Sequence, residues 1–124
     1  MSGKGLQAMG EEVYAWADSK GWNNPPPTFG EAVALLHSEC SEALEAYRDH
    51  GLEDVTGNTT LTRNERHDLV AVPAKPEGVG SEFADVLIRL LHYSALFGVD
   101  LDAEYERKMA YNITRAYRHG GRTL

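Results

Sequence analysis

Ser38-Glu39-Cys40-Ser41-Glu42 and, further along the chain, Ser81-Glu82-Phe83-Ala84-Asp85 are the stretches on which the reading of this sequence turns. Each has an acid, two intervening residues and a second acid, and helical residues three apart lie on one face. If the two helices pack together, four carboxylates converge.

The position of each pair relative to its helix's apolar side separates chemistry from a wet surface. At about 100° per residue with Glu39 at zero, Leu35, Ala46, Ala32, Ala43, Leu36, Tyr47 and Cys40 occupy an arc of roughly −40° to +100°. Glu39 falls inside that stripe and Glu42 at its margin. Around Glu82, the residues Val86, Leu90, Phe97, Phe83 and Tyr93 form a stripe that Glu82 borders, and the rest of that helix is apolar nearly all round, as a central helix would be.

Like charges about 4 Å apart repel by about 4 kcal/mol at an effective dielectric near 20, so converging acids need protons or cations. A single pair has an ordinary explanation: Glu39 bonding a core hydroxyl, Glu42 and Glu45 facing water, and Asp85 pairing with Arg89 one turn on. Two pairs, each beside an apolar stripe, favour a divalent metal.

Outward from these pairs, the periodicity predicts four main helices. Leu6, Met9, Val13, Trp16 and Ala17 mark the first, from Leu6 to Lys20, stopped by Gly21. Trp22-Asn23-Asn24-Pro25-Pro26-Pro27 follows as a stiff extended connection. Thr28-Phe29-Gly30-Glu31 is a capping box that starts the second helix near Phe29, and Gly51 ends it after His50. The stretch 52–75 is polar and threonine-rich, a long loop or insertion with a charged cluster at Arg63 to Asp68 and a possible short strand at Leu69-Val70-Ala71-Val72. The third helix runs from Ser81 to Phe97, closed by Gly98, and Asp100 caps a fourth from Leu101 to Arg115.

The 124 residues are expected to form one domain with a modest core. A net charge of −7 argues against binding a nucleic-acid backbone, which demands a basic face. It leaves a small phosphorylated substrate open, because a bound divalent ion inverts the local field. Cys40 stands alone, so no intrachain disulfide forms and a reducing compartment is expected, with Cys40 as a small core residue. No apolar run approaches a membrane span, and the start of the chain lacks a secretion signal's apolar region, so the expected location is cytoplasmic.

On the fourth helix Lys108, Asn112 and Arg115 fall at i, i+4 and i+7, sharing a stripe with Tyr105 and Leu101. Taken alone, these are cations at a helix end favoured by the dipole. Beside a carboxylate quartet they suit a phosphorylated ligand, with metal on the acids and cations on the phosphate oxygens.

These motifs, in this order, resemble the MazG-like branch of the all-α nucleoside triphosphate pyrophosphatases. That family pairs ExxE with ExxD, here Glu39-x-x-Glu42 and Glu82-x-x-Asp85, followed by K-M-x-x-N-x-x-R-x-Y, which Lys108 to Tyr117 fits throughout. Lys75-Pro76-Glu77-Gly78 and Tyr117-Arg118-His119-Gly120-Gly121 are similar to its phage and actinobacterial members. The resemblance covers Thr28 to the C-terminus apart from residues 52–75. It implies a four-helix all-α bundle and Mg²⁺-dependent hydrolysis of a (deoxy)nucleoside triphosphate to the monophosphate and pyrophosphate, as a nucleotide-pool house-cleaning enzyme, with Mn²⁺ as a substitute ion. Glu39, Glu42, Glu82 and Asp85 carry over as metal ligands and catalytic residues, and Lys108, Asn112 and Arg115 as phosphate or sugar contacts, with Tyr117 and Arg118 beside them. The general base stays open between Glu39, Glu45 and water activated by metal alone. Ser38 stands where several members carry a further acid, which leaves the number of ions open.

For the nucleobase, Trp16, Trp22 and Tyr111 are the stacking candidates. Trp16 lies on the apolar spacing and is expected in the core, whereas Trp22 is balanced between anchoring its loop and contacting a base. His37, His92 and His119 are expected as surface or supporting groups, and the lack of any Glu-x-x-His pair argues against a di-iron bundle. The second and third helices look too apolar for a lone small bundle, so a homodimer or homotetramer is expected. The rival readings are a phosphoribosyl-ATP or dUTP/dCTP-type pyrophosphatase of the same superfamily, and a non-catalytic helical interaction module.

Overall fold

The computed structural model of the chain describes residues 4–57 and 60–117, residue 60 by its backbone alone. In chain order the elements are α1 (Leu6–Ser19), α2 (Phe29–His50), β1 (Thr60–Arg63), β2 (Leu69–Val72), α3 (Val79–Leu96) and α4 (Leu101–Ile113). The protein is thus mostly helical, four helices with a small two-stranded antiparallel sheet, which is roughly consistent with the all-α expectation. Contacts group the chain, expected as one domain, into two compact units, residues 27–90 and residues 1–26 with 91–124. Helix α3 starts in the first and ends in the second.

In the 27–90 unit, α2 begins where its capping box dictates. Thr28 Oγ1 accepts from Glu31 N at 3.2 Å while Thr28 N donates to Glu31 Oε1 at 3.0 Å, satisfying two donors the first helical turn leaves open. Gly51 (φ 64°) ends the helix in a backbone conformation that a side chain would strain. The inward face of α2 is narrower than its apolar arc: Ala32 and Ala43 are buried, but Leu35, Cys40 and Tyr47 are exposed. Cys40 is therefore not the core residue expected, because it sits about 60–80° around the helix from those alanines.

Residues 52–75 are not one long loop. Leu69–Val72 forms the strand its apolar run allows, paired with β1 from Thr60↔Val72 to Arg63↔Leu69. The charged cluster between them is the turn: Asn64 Oδ1 accepts from Arg66 N at 2.9 Å and Asp68 N at 3.0 Å, so one amide side chain organises it.

In the other unit, α1 ends in a Schellman motif at Gly21 (φ 79°), with Trp22 N donating to Ala17 O and Gly21 N to Asp18 O, each at 3.0 Å. That turn folds Trp22 back onto Trp16, ring centroids 4.7 Å apart and edge-on. Trp16, expected in the core, keeps 44% of its surface exposed, because its packing partner is a loop residue rather than a helix face. At the start of α1 there is no side-chain cap from Gly5. Asp102 of α4 serves instead, accepting from Leu6 N and Gln7 N at 3.0 Å each. Gly10 lets α1 approach α3 closely, since a Cβ there would lie 3.3 Å from Leu91 O.

His92 is not at the surface. Expected at the surface or in a supporting position, it is 2% exposed beside Leu91 and Tyr93, with Nε2 2.6 Å from Asn23 Oδ1. An apolar helix carries its occasional polar residue inward, and the burial requires such a partner. Asp100 caps α4 as expected, accepting from Ala103 N at 3.1 Å. The helix stops at Ile113, where the Thr114 hydroxyl donates to Tyr111 O at 2.6 Å. Arg115 thus lies past the helix that carries Lys108 and Asn112.

Candidate metal centre

Within the 27–90 unit, α2 supplies Glu39 and Glu42, and the first turn of α3 supplies Glu82. Each presents a carboxylate oxygen, and the three oxygens lie within 4.8 Å of one another, the single such cluster found among the described residues. Asp85, the fourth acid of the sequence reading, is not one of the three, but its charge acts on Glu82 and helps to raise that carboxyl. Two acids three positions apart share a helix face yet point about 60° apart, so one leads and the other supports.

The electrostatics follow from that crowding. The Glu42 carboxyl is held above the ordinary carboxylate value first by the hydrogen bond its protonated form donates to the Glu39 carboxylate and then by the Glu39 charge. The Glu82 carboxyl is raised first by desolvation and then by Asp85, with Lys75 pulling the other way. Protons are thus favoured on this cluster wherever a cation is lacking.

Glu39 has a fixed partner. Arg89 Nε donates to Glu39 Oε1 at 3.1 Å, with the two side chains only 24% and 12% exposed. The ordinary reading of one acid pair placed Arg89 on Asp85 and Glu39 on a core hydroxyl; the guanidinium instead spans α3 to α2. Glu82 Oε2 is buried without a hydrogen-bond partner among the described residues. A buried anionic oxygen left in that state costs stability unless a cation completes it, so this atom fits a bound metal. The all-oxygen donor set suits Mg²⁺ or Mn²⁺ and not a thiolate-seeking ion.

The expected substrate contacts belong to the other unit. Lys108 and Asn112 are on α4 and Arg115 and Tyr117 beyond it, all in the other unit; Lys108, Arg115 and Tyr117 are exposed. Asn112 has Oδ1 buried without a hydrogen-bond partner among the described residues, while its Nδ2 reaches Met109 Sδ at 3.8 Å. Trp22 is anchored against Trp16, with 39% of its surface still exposed. Arg118 and His119 fall outside the described residues. That unit also has a cleft of about 250 Å³, lined by Leu6, Leu91, Val99 and Leu101 with Ser94 and Asp100, but no cluster of metal-ligating side chains among its described residues.

Arg89 is the residue of this cluster that sequence reasoning assigned to the wrong acid, Asp85 in place of Glu39. Its signal was present, since a cation one turn past Glu82-x-x-Asp85 on an apolar helix has to find an acid. No protein-family model, curated protein or solved structure matches the chain. Among the described residues, no helix is long and apolar enough to cross a membrane.

Proposed function

We propose that the chain is a Mg²⁺-dependent nucleoside triphosphate pyrophosphohydrolase of the MazG-like type, converting a (deoxy)nucleoside triphosphate and water to the monophosphate and pyrophosphate. The observation that carries this reading is the meeting of Glu39, Glu42 and Glu82 oxygens within 4.8 Å on two helices. Mg²⁺ held by these three residues would supply Lewis-acid polarisation of a phosphoryl oxygen and a more acidic water.

The remaining roles belong to the chain. Arg89 fixes the Glu39 carboxylate, and the Asp85 charge beside Glu82 adds to the pull on a cation. In this reading Lys108, Asn112, Arg115, Tyr117 and Arg118 contact the phosphates and sugar, and the exposed edge of Trp22 meets the base. A homodimer or homotetramer belongs to the same proposal. Leu35, Leu44, Tyr47, Phe83, Leu87 and Leu90, all in the 27–90 unit, are each at least 38% exposed, a quantity of apolar surface that a second copy would cover.

The test is a hydrolysis screen over common and modified nucleotides with Mg²⁺, measuring pyrophosphate release, with Glu82→Gln as the blank. Metal-dependent release of monophosphate and pyrophosphate, lost in the variant, is expected. Full activity after prolonged chelation refutes the metal role, and preference for phosphoribosyl-ATP refutes the substrate. A melting temperature indifferent to Mg²⁺, with Glu42→Gln changing nothing, leaves a non-catalytic module.

A further inference from the structure

Next to the carboxylate cluster lies an open cleft of about 240 Å³, confined to the 27–90 unit, with Glu42, Glu82, Asp49, Glu77 and Lys75 among its walls. Its chemistry is lopsided. Lys75 is the one lysine or arginine lining it, against several carboxylates. A bare polyanion would be repelled from such a cleft, whereas a phosphate chain bridged to a divalent ion would be admitted, its remaining charge open to a cation.

Lys75 is also held in place. It opens the segment Lys75-Pro76-Glu77-Gly78 that leads into α3, and that segment is fastened to residues 53–56. Glu77 N donates to Thr56 Oγ1 at 3.1 Å and the Thr56 hydroxyl donates to Glu77 O at 3.3 Å. Ser81 Oγ donates to Pro76 O at 3.1 Å. Gly78 (φ 108°) passes so close to the same segment that a Cβ would lie 3.0 Å from Glu53 O. Two independent anchors and a proline thus fix the backbone from which a lysine reaches out at the rim of the carboxylate cluster. Its charge is felt there, since it opposes the upward shift of Glu82.

We infer that Lys75 binds a phosphate of a metal-bridged pyrophosphate group seated in this cleft, a substrate contact additional to those on and beyond α4. The inference rests on the metal reading of Glu39, Glu42 and Glu82. Lys75 provides three rotatable donors on a flexible stem, suited to a phosphate as a point charge.

The test is calorimetric titration of inorganic pyrophosphate into the full chain at saturating Mg²⁺, and of Mg²⁺ alone, for wild type, Lys75→Gln and Lys75→Arg. Loss of a charge-assisted hydrogen bond weakens pyrophosphate binding of Lys75→Gln about tenfold or more, and Lys75→Arg recovers most of it. Mg²⁺ alone binds Lys75→Gln at least as tightly as wild type, because a positive charge has left the neighbourhood of Glu82. A variant that merely loosened the fold would lose both affinities. Equal pyrophosphate affinity in wild type and Lys75→Gln overturns the inference and leaves the metal site standing. So does a wild type that binds Mg²⁺ but no pyrophosphate, whereas a wild type that binds no Mg²⁺ overturns both readings.

Discussion

Replacing Arg89 by Met removes the cation from the Arg89–Glu39 pair while keeping most of the side chain's packing volume. At 3.1 Å between Nε and Oε1, the attraction between unit charges is about 5 kcal/mol at an effective dielectric near 20. Desolvation of the two groups offsets much of that. A hydrogen bond between charged groups contributes about 1.5–3 kcal/mol net, and leaving Glu39 at 12% exposure without its partner adds to the loss. About 2 kcal/mol of destabilisation follows in the metal-free protein, or about 8 °C in Tm for a chain of this size. Urea unfolding at neutral pH in chelator and at fixed protein concentration measures it, together with Glu39→Gln and the double variant. The cycle should return a coupling of at least about 1 kcal/mol, because two residues sharing one ion pair are not additive. Mg²⁺ should restore more of the lost stability in Arg89→Met than it adds to wild type, since the variant's cluster carries one more uncompensated negative charge. Additive single variants, or an unchanged midpoint in Arg89→Met, would refute the assignment of Arg89 as the clamp on Glu39.

Two further outcomes are expected. The Glu42 and Glu82 carboxyls, raised above the ordinary value of 4.5, keep protons in the folded metal-free state that the unfolded chain has already released. Stability of the apo protein therefore falls as pH rises through the interval between the unfolded and the higher folded values, and the loss persists above it. Because Mg²⁺ binds the deprotonated acids, the Tm gain it confers should grow with pH across that interval; a pH-independent gain would contradict the cluster as its ligand set. Separately, Asp102→Ala should cost about 1–2 kcal/mol by uncapping α1, and Asp102→Asn less, as read by urea unfolding. An Asp102→Ala variant as stable as wild type would show that the α1 terminus does not need the α4 carboxylate.

What the sequence disclosed and what it withheld divide along one physical line. Features set by neighbours within a turn or two were legible. The Thr28–Glu31 capping box, the Asp100 cap, the stops at Gly51 and Gly98 and the two acid pairs all act over three or four residues, so the chain states them directly. What escaped were contacts closed across long separations: Asp102 capping α1, His92 meeting Asn23, and Arg89 crossing to Glu39. Strand β1 escaped for a related reason, because Thr60–Arg63 has no apolar alternation of its own and becomes a strand only by pairing with Leu69–Val72. Trp22 was in principle readable, since a glycine stop followed by an aromatic residue is the pattern of a Schellman turn with its hydrophobic contact.

The same line explains why the acid quartet is legible only as a set. Spacing of three places both acids of a pair on one face, but it cannot say which of the two reaches a shared point. Three things decide that: Arg89 takes one oxygen of Glu39, Asp85 adds its charge beside Glu82, and burial leaves Glu82 Oε2 without a partner among the described residues. Each of these turns an equivalent acid into a distinct one. Glu39 is neutralised by protein, Glu42 stands exposed with a raised affinity for its proton, and Glu82 is the acid with most to gain from a cation. On charge alone, one divalent ion balances Glu42 and Glu82 once Arg89 has balanced Glu39, so the fixed guanidinium does part of the work that a second ion would otherwise be needed for.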